Sequence, residues 1–207
     1  MRDAGIAAVV TAGACYPRLF LWMNRPELAA FLVSILLMSA FLLWSFVLAW
    51  HREGTGKRVF GLPPSPRPWA AATLAGACAA ALLYFFLDPI TRQIHPAQFP
   101  KDLQGWAAHL LFALGFEQLF VCFAPFAFFI RLSRRLDVSC VLTVLFGIFI
   151  VWLQISDKGA SAVLMLALLA SRAFSASLTL YFYLRGGVWL VLWWVLLLNA
   201  RHLWKVL

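Results

Sequence analysis

Six stretches of about twenty apolar residues divide this chain, and they fix most of what it can fold into. A segment that long with few charges crosses hydrocarbon as a helix, because only a helix satisfies every backbone N–H and C=O from within. The runs are 27–50, 68–87, 105–130, 138–155, 160–184 and 188–207. Residues 5–23 form a further candidate, either a seventh span or a helix lying in the interface. The expected fold is therefore all-α: a polytopic transmembrane helical bundle of six or seven spans, with residues 1–207 as one integral membrane domain. Composition agrees, since 64% of the 207 residues are hydrophobic and 12% charged, far from the ~25% charge of soluble domains.

The net charge of +9 does not point to nucleic acid. Lys and Arg gather in short loops rather than along a stripe interleaved with polar residues. Loop 51–67 carries Arg52, Lys57, Arg58 and Arg67, loop 131–137 carries Arg131, Arg134 and Arg135, and the turn 185–187 adds Arg185. The alternate loops offset Arg92 and Lys101 with Asp88 and Asp102, and Lys158 with Asp157. Positive-inside bias puts the first three loops in the cytoplasm, although Arg201 and Lys205 lie on the other side. The proline-rich stretch 61–68 reads as a non-helical cytoplasmic linker, because proline lacks a donor and disfavours helix at the residue before it. Cys15, Cys78, Cys122 and Cys140 sit in or beside apolar runs without C-x-x-C spacing, so neither a disulfide framework nor a zinc site is expected. The segment from Met1 to Met23 is interrupted by Tyr16, Pro17 and Arg18 and reads as retained rather than as a cleaved signal.

Within the spans, the informative residues are the ionisable ones. Glu117 lies 12 residues from Gly105 and 13 from Ile130, and Arg172 lies 12 from both Ala160 and Leu184. At 1.5 Å per residue both sit about 18 Å deep, near the midplane. An acid at a helix centre costs about 2.5–3.5 kcal/mol to insert, so it faces an interior or a wet cavity. Asn199, 11 residues into the last run, is at comparable depth. In one reading Glu117 and Arg172 form a buried ion pair that fixes helix packing. In the other Glu117 activates water in a cavity. A second catalytic group is hard to find: His51 and His95 fall in loops, His202 lies near the end, and His109 is about 12 Å along the axis from Glu117. Gln118 and Gln154 cannot exchange protons usefully and read as helix-to-helix hydrogen bonders. No metal motif, nucleophile elbow, phosphate loop or dinucleotide fingerprint is present, so no metal or cofactor is expected. Pro125 frees the carbonyl of Val121 and predicts a kink in the third run.

Residues 105–199, preceded by N-terminal spans and linker in 1–104, resemble the CAAX-protease and bacteriocin-processing (CPBP, or Abi) family of glutamate intramembrane endopeptidases. The family's first motif, Glu-Glu-x-x-x-Arg, stands here as Glu117, Gln118 and, at the arginine position, Cys122. A basic loop follows, Arg131 to Leu136. The second motif, Phe-x-x-x-His, stands as Phe146 to Ile150. Tyr183-Leu184-Arg185-Gly186-Gly187 matches the turn before the third motif, and its His-x-x-x-Asn stands as Val195 to Asn199 with a one-residue deletion. Glu117 and Asn199 survive; Gln118, Cys122, Ile150 and Val195 replace the other motif residues, and Arg172 is a candidate for the missing counter-charge.

The resemblance implies a bundle of that type in the cytoplasmic (inner) membrane of a bacterium, in contact with membrane lipid. The replaced residues imply a pseudoprotease, since losing one member of such a constellation costs orders of magnitude in rate. The expected role is a scaffold or non-catalytic subunit of a membrane complex, docking a partner's transmembrane segment. The alternatives are a divergent intramembrane endopeptidase built on Glu117, and a small transporter or proton pathway, which the absence of paired halves disfavours.

Overall fold

A computed structural model of the chain describes residues 1–63, 65–94, 96, 99–156 and 161–206. Pro64, His95, Asp157, Lys158, Ala160 and Leu207 lie outside the described residues. The described chain is helical, with no strand, and six helices are long and apolar enough to cross a membrane: α1 (Arg2–Met23), α2 (Pro26–Thr55), α3 (Arg67–Gln93), α4 (Leu103–Ser133), α5 (Leu136–Ile155) and the segment Ala162–Ala200.

Local signals set the boundaries. α1 ends where Asn24 turns left-handed (φ 50°) and donates its N–H to Phe20. Pro26 opens α2 in the first turn, where its missing N–H costs nothing. Gly56 closes α2 at φ 70°. Pro68 likewise sits in the first turn of α3, so the non-helical linker ends at Pro66, two residues earlier than the expected 61–68. The Asp102 carboxylate caps α4 by accepting the Gly105 N–H at 2.6 Å.

The segment Ala162–Ala200 is two helices. Gly186 (φ −146°, ψ 16°) and Gly187 (φ 65°, ψ −161°) break it, giving α6 (162–185) and α7 (188–200). The helices run back along one another: the Trp194 Nε1–H donates to Thr179 Oγ1 at 3.2 Å, and the rings of Phe182 and Trp194 are 5.3 Å apart. α7 is shorter than the run predicted, because the chain turns at Arg201 and ends in a 3₁₀ turn over Leu203–Lys205.

α1 is a packed helix. Ala4, Ala8, Ala12 and Cys15 form a buried stripe of small side chains, the device by which membrane helices approach closely. Thr11 on this face accepts the Trp44 Nε1–H of α2 at 3.0 Å, and Gly115 of α4 lies against Ala14. Of the two readings of residues 5–23, the spanning one fits this packing. The aromatic core joins α2, α4 and α6 through Trp44, Phe123 and Tyr183, with Phe123 and Tyr183 4.7 Å apart. α3 lies on α7, where Trp193 Nε1–H donates to Thr73 at 2.9 Å and Gly76 leaves room for Leu197.

The three basic loops meet at one end of the bundle. Arg131 pairs with Glu53, Lys57 Nζ donates to the Leu184 carbonyl at 3.0 Å, and the Val188 N–H donates to the Val59 carbonyl at 2.9 Å.

Candidate functional site

The kink expected from Pro125 takes the form of π-helical turns. In α4 the turns Ala113–Glu117 and Leu119–Phe123 precede Ala124-Pro125, and in α3 the turn Leu83–Leu87 precedes Asp88-Pro89. The Ala124 N–H reaches back five residues to Leu119, and the Asp88 N–H five to Leu83. Widening the turn relieves the clash between a proline ring and the carbonyl four residues earlier. In α4 the widened region contains Glu117 and abuts Gln118.

Glu117 and Gln118 open onto a cavity of about 640 Å³ between α3, α4, α5, α6 and α7. Arg172 and Ser175 line it from α6, Val195 and Asn199 from α7, and His109 from two turns earlier on α4. Four predicted site residues thus converge with Glu117: Gln118, Arg172, Val195 and Asn199. The wall toward α3 is apolar, and Phe86 of α3 and Phe174 of α6 stand outward at 70% and 58% exposure, so the cavity opens sideways.

Glu117 and Arg172 share this space without touching. Among the described residues neither side chain has a hydrogen bond or ion pair, and Arg172 Nε is buried without a partner. The direct ion pair considered from the sequence is therefore not formed. Arg172 lies instead over Gly147 of α5, whose Cβ, if present, would come 3.3 Å from Nε. Arg172 and Arg18 of α1 are the two cations nearby that face the buried Glu117 carboxyl. Arg18 is buried, with its carbon Cζ 4.9 Å over the Trp22 ring and its Nε unpartnered.

Three motif positions fall elsewhere. Cys122 is buried in the central core, on the face of α4 turned from the cavity. Phe146 packs on Phe120, with ring centroids 6.1 Å apart, and neither it nor Ile150 lines the cavity. α5 turns the residues one later inward, placing Gly147 under Arg172 and Val151 on the wall.

Sequence reasoning missed a polar cluster at the cavity's mouth. Asp88 reads as a loop acid, yet it is buried, 3.1 Å from Arg201 Nε and 3.7 Å from His202 Nδ1. His202 meets Phe99 edge to face, with ring centroids 5.4 Å apart, and lies 6.3 Å from the His109 ring. The Trp106 Nε1–H donates to the Asn199 carbonyl at 3.0 Å, and the Asn199 amide donates to Val195. The only sequence signal was that Asp88 and Arg201 both sit at span ends. Among the described residues no three His, Cys, Asp or Glu side chains converge as metal ligands.

No protein-family model, curated protein or solved structure matches this chain.

Proposed function

We propose that this is a non-catalytic, CPBP-like protein of a bacterial cytoplasmic membrane, which holds a partner's transmembrane segment in the Glu117 cavity. The observation that carries this reading is that Glu117 and Arg172 line one cleft, opening sideways between α3 and α6, without bonding to each other, and that Arg172 Nε is buried without a partner. Both charges are held apart, one on a widened helical turn and the other over a glycine. A polar group on an incoming helix would complete them, and apolar walls would cover the rest. Hydrolysis has less support. An acid–base relay needs groups in hydrogen-bond reach, and Glu117 has no such neighbour among the described residues.

The test is a photocrosslinking residue at Phe86 or Phe174 in tagged protein expressed in its native membrane. One membrane protein should crosslink in stoichiometric yield from these positions and be lost with Glu117→Gln or Arg172→Gln. Crosslinks to lipid alone, unchanged by either substitution, would refute the reading.

One observation favours the endopeptidase as a second reading: His109 lines the same cavity as Glu117 and adds a titratable group that sequence distance had set aside. It requires that Glu117→Gln and His109→Ala each abolish cleavage of a membrane peptide without altering the melting temperature. Full activity in either variant would sink it.

A further inference from the structure

The opposite end of the bundle carries a second, separate pocket. It lies between the linker after α2 and the α6–α7 turn, has a volume of about 410 Å³, and is lined by His51, Lys57, Arg58, Tyr183, Arg185 and the Gly186-Gly187 backbone, among others. Three cations stand in the lining and no acid does. The nearby carboxylate of Glu53 is taken by Arg131. Lys57 gives one of its three N–H donors to the Leu184 carbonyl, and the Arg185 guanidinium rests 5.4 Å from the Tyr181 ring centre.

The inner wall is polar where packing alone would make it apolar. His51 and Tyr183 are each 1% exposed, with ring centroids 4.7 Å apart. His51 Nδ1 and the Tyr183 hydroxyl are both buried without a hydrogen-bond partner. A buried hydroxyl left unpaired is destabilising, and phenylalanine would fill the same space without that loss. The hydroxyl is a donor and the imidazole nitrogen is one in its Nδ1–H tautomer, so both stand beneath three cations with hydrogen-bonding capacity unused.

We infer that this pocket binds a phosphate group. A phosphate presents several acceptor oxygens around one centre and matches clustered Lys and Arg with charge-assisted hydrogen bonds. A carboxylate, with two oxygens and one charge, would leave part of the set unused. The volume exceeds what a bare phosphate needs and suits a phosphate with a small polar substituent. The pocket also lies at the helix ends where the basic loops gather, the level at which basic pockets between membrane helices meet anionic headgroups. Two sources carry this chemistry, a phospholipid headgroup and a soluble phosphate ester. The inference is independent of what occupies the Glu117 cavity.

The test uses full-length purified protein. Native mass spectrometry follows retention of dioleoylphosphatidylglycerol against dioleoylphosphatidylcholine, and thermal shift follows glycerol 3-phosphate and inorganic phosphate. Selective retention of one phosphatidylglycerol with no response to the soluble compounds assigns a lipid headgroup; stabilisation by the soluble compounds assigns a phosphate ester. Lys57→Gln/Arg58→Gln/Arg185→Gln should weaken binding about tenfold or more, whereas Arg2→Gln/Arg67→Gln/Arg134→Gln, which removes as much charge outside the pocket, should not. Tyr183→Phe should weaken binding several-fold while leaving the ligand-free melting temperature unchanged or higher, which a purely structural tyrosine would not do. Equal loss in both triple variants, equal retention of the two lipids with no response to either soluble compound, or full binding by Tyr183→Phe would each overturn the inference.

Discussion

Replacing Gly187 with alanine strikes the point on which the hairpin turns. The residue sits at φ 65°, ψ −161°, a region open essentially to glycine, and holding alanine there costs about 1–3 kcal/mol. The added Cβ would also meet the Val59 carbonyl oxygen at 2.4 Å and that of Gly61 at 3.0 Å. Both are backbone atoms, so the linker itself would have to move. That movement strains the Val188 N–H bond to Val59, now 2.9 Å, which contributes about 1 kcal/mol. With about 1–3 kcal/mol of overpacking, the total is at least about 3 kcal/mol, against a typical stability of about 5–15. For a chain of this size that lowers the melting temperature by about 6 °C or more. Buried Cys15 and Cys122 provide the assay, through a thiol-reactive dye that reports their exposure on heating in detergent. Gly13→Ala is the control, since a Cβ there meets nothing within 4 Å and alanine favours a helix. A Gly187→Ala protein that melts with the wild type would refute the reasoning.

Asp88→Ala should cost about 3–5 kcal/mol, because it leaves the Arg201 guanidinium without its carboxylate in a largely buried setting. Adding Arg201→Met should restore part of the loss, measured by the same melting assay. Thr179→Val should cost about 1–3 kcal/mol by stranding the Trp194 indole N–H that it accepts at 3.2 Å. A double-mutant cycle with Trp194→Phe should return a coupling of the same sign, and additivity would count against that bond.

The architecture was legible because hydrocarbon imposes it. Run lengths located the helices, and basic loops separated the two ends. The Arg185-Gly186-Gly187 turn was visible as a break between two apolar stretches. Depth counting along the helices placed Glu117, Arg172 and Asn199 at one level, and they line one cavity. Rotation about the helix axis was harder to read. A one-residue offset on α5 turns Gly147 and Val151 to the cavity in place of Phe146 and Ile150. Contacts between span ends were invisible for a different reason: Asp88 and Arg201 are separated by 113 residues, and each alone looks like an ordinary interfacial charge. Arg18 was hidden likewise, since its nearness to Glu117 depends on how α1 packs.

The turn that brings α6 and α7 together is not closed by its own neighbours in sequence. Val188 donates to Val59, Lys57 to Leu184, and the carbonyl of Gly61 sits beneath Gly187. The linker is therefore a template, made early in synthesis, against which the final hairpin is shaped. Pairing of the last two helices is itself local, with Trp194 and Thr179 15 residues apart, whereas the contacts that shape its turn reach across 127 residues from Lys57 to Leu184. The proline-rich segment that looked like a spacer between spans is the clasp at the far end of the cavity's own walls.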